Sequence, residues 1–157
     1  MKKIYVKDSP IEGNGIFANK NIRKGEIISY FKGKHYKRVT KGIDDALSNP
    51  NSIGIGPNHW METEPPLMYT NHSCNPNASL KGTVTLIAIK NILKNQEILM
   101  DYSITEADPL WYMKCTCGLK DCRKKIKSVQ YLPKDIFKKY LPYVTKYFQK
   151  IYLKFHV

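Results

Sequence analysis

Asn71-His72-Ser73-Cys74-Asn75-Pro76-Asn77 lies some forty residues before Cys115-Thr116-Cys117 and Cys122, and together the two segments hold all four cysteines of the chain. Cysteines separated by one residue do not readily bridge each other, and no thiol is left over. A Cys-x-Cys-x4-Cys cluster with one distant partner is better explained by a single tetrahedral zinc than by disulfides or by buried apolar thiols. Cys74, Cys115, Cys117 and Cys122 are therefore the expected ligands. Four thiolates fill the tetrahedron and leave no position for water, so the metal would be structural and not the catalyst. The distant fourth ligand would tie the tail to the middle of the chain, pinning a C-terminal flap beside Asn71 and His72. Metal-binding free energy would then be folding free energy.

At 157 residues the chain has room for one domain with a modest core. Its start, Met1-Lys2-Lys3-Ile4-Tyr5-Val6-Lys7-Asp8, puts charges where a signal peptide needs an apolar run. The longest later apolar run, Leu86 to Ile89, is too short to cross a bilayer. The expectation is a soluble protein of a reducing compartment with no membrane span. The formal charge of +13 is unevenly spread. Residues 1–41 hold eleven Lys/Arg against three acids, and residues 114–157 hold twelve against two. From Gly42 to Leu80 there is no Lys or Arg, while Asp44, Asp45, Glu62 and Glu64 are acidic. An acidic middle between basic flanks suits a protein that receives a basic peptide centrally while its rim touches an anion such as nucleic acid. An ordinary solvated lysine-rich surface explains the flanks equally well.

Short β-branched and aromatic runs bounded by Gly, Asn, Asp and Pro predict strands at Ile4–Lys7, Gly15–Ala18, Glu26–Phe31, Thr83–Ile89 and Glu97–Asp101. The fold class is mainly β. Asn21-Ile22-Arg23-Lys24-Gly25-Glu26 looks like a turn into a strand, and Lys90-Asn91-Ile92-Leu93-Lys94-Asn95-Gln96-Glu97 reads the same way again. Asp44–Ser48 suits one helical turn, and Asn49–Pro66, rich in proline and glycine, reads as an irregular insert. After Leu132-Pro133, apolar residues recur at Phe137, Leu141, Val144, Phe148, Ile151 and Phe155 with helical spacing. Pro142 removes the amide that would bond the Lys138 carbonyl. The pattern thus predicts a kink, or two short helices with Pro142 in the first turn of the second. The favoured role is to cover an open edge of the β core; a dimer face or a membrane-surface helix are the other readings of this stripe.

Gly13-Asn14-Gly15-Ile16-Phe17, Asn71-His72-Ser73-Cys74, Glu97-Ile98-Leu99-Met100-Asp101-Tyr102, and Trp111 with the cysteine cluster follow one another in an order that resembles a SET domain with its post-SET zinc segment. This is the fold of protein lysine methyltransferases. The resemblance covers residues 4 to about 126. It implies small β-sheets with a knotted loop at the active site: residues 1–113 as the SET domain, 114–127 as the post-SET zinc segment and 128–157 as a basic helical extension. The compact layout is similar to small bacterial members, which implies a bacterial cytoplasmic protein or one exported to a host cell and its nucleus.

The resemblance also implies S-adenosylmethionine as cofactor, held by Gly13, Asn14, Gly15, Asn71, His72, Tyr102 and Trp111. By themselves, Gly13 and Gly15 permit positive φ and close backbone approach, and Trp111 is as readily core as a stacking partner for adenine. Tyr102 is the expected catalytic residue, orienting the sulfonium and the lysine amine for in-line displacement, a catalysis of positioning and electrostatics. The amine must attack neutral, whereas a free lysine has a pKa near ~10.4, and an adjacent sulfonium lowers it. Asp101 and Glu97 are read as structural, tying their strand to the Asn71–Cys74 loop. Three residues depart from the family pattern: Met100 stands where an aromatic residue is common, Met68 where an arginine often precedes the Asn-His run, and Lys124 where a glycine usually follows Cys-Arg. The implied reaction is methyl transfer to a lysine ε-amine of a basic protein such as a histone or histone-like protein. The rival readings are a non-catalytic zinc-stapled chromatin or nucleic-acid-binding module, and a homodimer built on the Phe137–Phe155 face.

Overall fold

The computed structural model describes residues 2–37 and 51–156. The helical turn expected at Asp44–Ser48 lies outside the described residues. Small sheets dominate, as the short β-branched and aromatic runs predict. Strands β1 (Ile4–Asp8) and β2 (Asn14–Ala18) form an antiparallel hairpin. Strands β3 (Ile27–Tyr30), β9 (Thr85–Ala88) and β8 (Ala78–Lys81) form an antiparallel sheet in that order. A second three-stranded sheet has the order β4 (Gly33–Lys37), β6 (His59–Thr63), β5 (Ser52–Gly56). Its strands β5 and β6 correct the expectation of an irregular insert at Asn49–Pro66, of which residues 49 and 50 lie outside the described residues.

The two look-alike turns pair with each other. Ile22 and Ile92 exchange backbone hydrogen bonds at 2.8 and 2.9 Å. The side chains of Asn91 and Asn21 accept reciprocally from the amides of Lys24 and Lys94 at 2.9 and 2.8 Å. Asn side chains close such turns by satisfying backbone donors. Ile22 and Ile92, each 1% exposed, plug the core between the turns.

Strand β7 (Asn71–His72) runs parallel to β10 (Leu99–Met100), pairing Asn71 with Leu99 and His72 with Met100. This strand is shorter than the Glu97–Asp101 run suggested. Asp101 ends it by accepting the Ser103 amide at 3.0 Å, opening a 3-10 turn at Tyr102–Thr105. Strands β11 (Tyr112–Lys114) and β12 (Lys125–Lys127) form a hairpin around the cysteine loop.

The tail forms two helices, α1 (Lys134–Tyr140) and α2 (Lys146–Phe155). Pro142 sits in a 3-10 turn between them, not in the first turn of the second, and the Lys138 carbonyl takes the Leu141 amide instead. Gln149 Nε2 donates to the carbonyls of Leu141 and Val144 at 3.1 and 2.7 Å, satisfying acceptors exposed by the break. The break also rotates the apolar stripe. Phe137, Val144 and Phe148 are buried as expected, but Leu141 and Phe155 are exposed, and Tyr140 and Tyr152 fill the core in their place. Val129, Phe137, Tyr140, Val144, Phe148 and Tyr152 belong to the same hydrophobic cluster as Ile16, Leu80, Leu86 and Ile98. Phe148 lies against Gly54 of the sheet-edge strand β5, where an added Cβ would sit 2.9 Å from its ring and 2.6 Å from the Thr105 carbonyl. No helix among the described residues is long and apolar enough to cross a membrane.

Candidate active site

The parallel β7–β10 pair sets the site, because it delivers Asn71 and His72 beside Met100, Asp101 and Tyr102. The Tyr102 amide donates to His72 Nδ1 at 3.2 Å, and the Tyr102 hydroxyl donates to the Thr70 carbonyl at 2.6 Å. The two rings meet edge to face, 5.3 Å between centroids. Burial pushes the His72 imidazole down to about 4, against the opposing pull of Asp101. The ring is therefore neutral. Since Nδ1 accepts, the hydrogen belongs on Nε2, 3.6 Å from Cys74 Sγ. Burial, reinforced by Glu12 and Glu97, raises the Tyr102 phenol well above the ordinary tyrosine range, so its hydroxyl stays protonated.

Asn71 Nδ2 lies 3.0 Å from each of three acceptors, the carbonyls of Glu12 and Asn14 and Glu97 Oε1. This one amide ties the glycine turn to both central segments. Gly13 has the expected positive φ, +49°. Gly15 departs from expectation: it lies in β2 without a positive φ, and a Cβ there would fall 2.2 Å from Glu97 Oε1. Its missing side chain makes room for a carboxylate of the protein itself. Glu97 ties its strand to the Asn71 segment as the sequence reading expects, and its backbone carbonyl also accepts from Asn77 Nδ2 at 2.8 Å. Asp101 differs: its carboxylate accepts from the Ser103 amide and from Arg123, and lies 3.7 Å from His72 Nδ1.

Asp101, 1% exposed, is met by an arginine that the sequence reading did not single out. Arg123 donates to its Oδ2 at 2.5 Å and to Ser103 Oγ at 3.2 Å. Burial works against the arginine charge, but Asp101 more than offsets it and holds the guanidinium firmly protonated. The available signal was an arginine directly after a cysteine of the cluster, in a chain whose Asp101 precedes the key tyrosine.

The four cysteine sulfurs all lie within 4.8 Å of one another, and Cys74 and Cys115 are 3.8 Å apart. A tetrahedron with metal–sulfur bonds of ~2.3 Å has edges of about 3.8 Å, so these residues fit one four-coordinate metal. The amides of Arg123 and Lys124 point at the sulfurs of Cys74 and Cys122, at 3.4 and 3.3 Å, as donors to thiolates do. Lys124 stands here at φ +62°. A left-handed residue with a Cβ costs ~1 kcal/mol, so Lys124→Gly is expected to raise Tm by about 2–4 °C in thermal melts of the metal-loaded protein. An unchanged or lower Tm would refute it.

Two cavities share Tyr102, Trp111, Met68 and Asn51 in their walls. One is an open cleft that adds Glu12, Asn14, Asn71 and Met113. The other, narrower, is lined by Phe31, Trp60, Thr70, Met100 and Thr105. Trp111, half-buried, thus stands between the two rather than in the core cluster. Trp60 carries no signal in the sequence, where Asn49–Pro66 reads as an irregular insert. The structure brings Asn14, Asn71, Tyr102 and Trp111 to the open cleft, with His72 behind Tyr102; Gly13 and Gly15 shape its turn without lining it.

Comparison with known proteins agrees with this architecture. Over 147 residues the chain is 26% identical to the histone-lysine N-methyltransferase trr of Drosophila melanogaster, covering 77% of this chain and 6% of that protein. It is 25% identical over 141 residues to an H3 lysine-4 specific histone-lysine N-methyltransferase of Cryptococcus neoformans, covering 78% and 10%. The chain therefore spans only a small part of these relatives. A solved candidate histone methyltransferase of Plasmodium falciparum superposes with a TM-score of 0.51 at 28% identity, over 65% of this chain and 94% of that one. KRYPTONITE, solved with DNA and SAH, superposes with a TM-score of 0.60 at 22% identity, over 78% and 28%, which establishes likeness of fold. The SET domain model matches residues 13–103. With that match spanning more than half of the sequence, the chain belongs to the SET domain family.

Proposed function

We propose that the protein transfers a methyl group from S-adenosylmethionine to the ε-amine of a lysine in a basic protein such as a histone or histone-like protein. The observation that carries this reading is the position of Tyr102, in a wall common to two cavities, with its hydroxyl hydrogen committed to the Thr70 carbonyl. The cofactor supplies an electrophilic methyl and a sulfonium charge. Asn71, Asn14 and Trp111 form the cleft that would receive it, and His72 fixes the Tyr102 backbone. The second cavity, walled by Phe31, Trp60 and Met100, suits a long apolar side chain ending in a cation. Tyr102, with the Thr70 carbonyl, orients the reacting groups; it does not act as a base.

Cys74, Cys115, Cys117 and Cys122 hold a structural zinc in this reading. Residues 1–113 form the transferring SET domain, 114–127 the zinc segment and 128–157 the basic extension. The likeness of the relatives named for histone-lysine transfer supports the substrate class. Transfer of labelled methyl into core histones and a bacterial lysate tests the whole. Label on a discrete basic protein is expected, whereas absence of both label and cofactor binding would overturn the reading.

Met100, 1% exposed, lines the target cavity with a flexible thioether that cannot hydrogen-bond a water beside the amine as a tyrosine hydroxyl can. Transfer is therefore expected to proceed past the first methyl. Met100→Tyr should shift the product toward monomethyl-lysine in mass spectra of a target peptide. Only monomethyl product from the unmodified protein would contradict this.

A further inference from the structure

We propose that the outer face of the β11–β12 hairpin, continued by Tyr131 and Phe155, is a binding surface for single-stranded nucleic acid. The hairpin alternates: Met113 and Ile126 turn inward, Ile126 fully buried, while Tyr112, Lys114, Lys125 and Lys127 turn to solvent. Lys125 Nζ lies 3.8 Å from the centroid of the Tyr112 ring, and Lys127 Nζ lies 4.8 Å from that of Tyr131. Tyr131 in turn meets Phe155 edge to face at 5.1 Å. Tyr112, Tyr131 and Phe155 remain 51%, 37% and 53% exposed, so the patch presents aromatic area and positive charge together.

No carboxylate among the described residues forms an ion pair with these three lysines. The sequence from Cys122 to Lys134 contains no Asp or Glu. The ammonium groups of Lys125 and Lys127 rest on ring faces in place of counter-charges, an arrangement worth ~0.5–1 kcal/mol at exposed sites. A phosphate offers each lysine a stronger partner, and the ring face it vacates can accept a base. Cations interleaved with exposed aromatic rings on a rigid ribbon are the chemistry that tracks a single strand: charge for phosphates, π-faces for unstacked bases. A lipid surface offers only the first of these to two rings already covered by ammonium groups. Tyr112 also edges the open cleft, so a bound strand would pass the mouth of the transfer site. The surface does not depend on that transfer reading.

The test is fluorescence anisotropy of the full, metal-loaded chain with labelled oligo(U) and oligo(dT) of about 20 nucleotides, longer than the site of a single module. A duplex of the same length and anionic phosphatidylserine vesicles are measured alongside. Expected results are tighter binding to the single strands than to duplex or vesicles, and a salt slope reduced by about 2 in Lys114/Lys125/Lys127→Gln. The same charge removed elsewhere, in Lys134/Lys138/Lys146→Gln, should change the slope by less than about half as much. Tyr112→Leu should weaken binding at least about fivefold, and Tyr112→Phe should retain it. Thermal melts establish that each variant is folded. Equal slopes in the two triple variants, equal affinity of the Leu and Phe variants, or preference for duplex or vesicles would each overturn the proposal. Binding of nucleic acid without binding of S-adenosylmethionine would sink the transfer reading and leave this one standing.

Discussion

Tyr102→Phe is expected to lower kcat for methyl transfer by about 10²–10³, while cofactor affinity stays within about threefold. The phenyl ring would still fill the wall between the two cavities, and the backbone amide would still donate to His72. Only the oxygen disappears. In the wild-type protein its hydrogen is spent on the Thr70 carbonyl at 2.6 Å, so lone pairs are what it can present to a neighbouring cation. Both the sulfonium methyl and the amine that acquires charge during transfer gain from an acceptor held in place, and such preorganised dipoles need no reorganisation during the reaction. The stability cost is modest by comparison. One buried carbonyl loses its donor, worth about 1–3 kcal/mol. Because burial keeps the phenol protonated throughout the working range, the wild-type pH–rate profile should rise with deprotonation of the target amine and show no phenolate limb. Steady-state kinetics with calorimetric cofactor titration decide the matter. A variant that keeps more than about a third of wild-type kcat would remove Tyr102 from the chemistry.

Much of the site was legible because its residues are chemically conspicuous. A tyrosine after Glu-x-x-x-Asp, an Asn-His pair and four clustered cysteines announce themselves by type and spacing, and the structure places them together. The strands of residues 4–30 and 85–88 were legible because short β-branched and aromatic runs are bounded there by Gly, Asn and Asp, and β2 and β9 bury such runs almost throughout. The hairpin at 52–63 was not. Its glycines and prolines read as turn residues, yet Gly54 lies inside β5, where the absent side chain admits Phe148 and the Thr105 backbone. A glycine that permits a long-range approach looks the same in sequence as one that permits a turn. The tail shows the other limit. A helical period predicts which residues share a face only while the helix runs unbroken, and the turn at Pro142 rotated α2 so that Tyr152 replaced Phe155 in the core. Arg123 was missed because its meaning lies in Asp101, 22 positions away in the chain.

If the four cysteines hold zinc as proposed, its loss should be the most damaging single change to stability. Structural zinc binds folded peptides with apparent free energies of about 10–16 kcal/mol, while a whole domain is stable by only about 5–15. Removing it releases more than a loop. The cysteine segment carries Arg123, whose loss would leave the Asp101 carboxylate buried and unpaired, a defect of about 3–5 kcal/mol. It also carries β11, which supplies Met113 to the open cleft beside Tyr102 and follows directly on Trp111. A strong chelator, or Cys115→Ser, is therefore expected to lower Tm by more than 10 °C and to abolish measurable cofactor affinity. Atomic emission should find one zinc per wild-type chain. Because the four sulfurs act as one unit, Cys74→Ser combined with Cys122→Ser should be scarcely worse than either alone, in contrast to the additivity of distant sites. Additive losses in the double variant, or a metal-free chain melting within about 3 °C of the wild type, would show that the cluster is held together by packing and not by a metal.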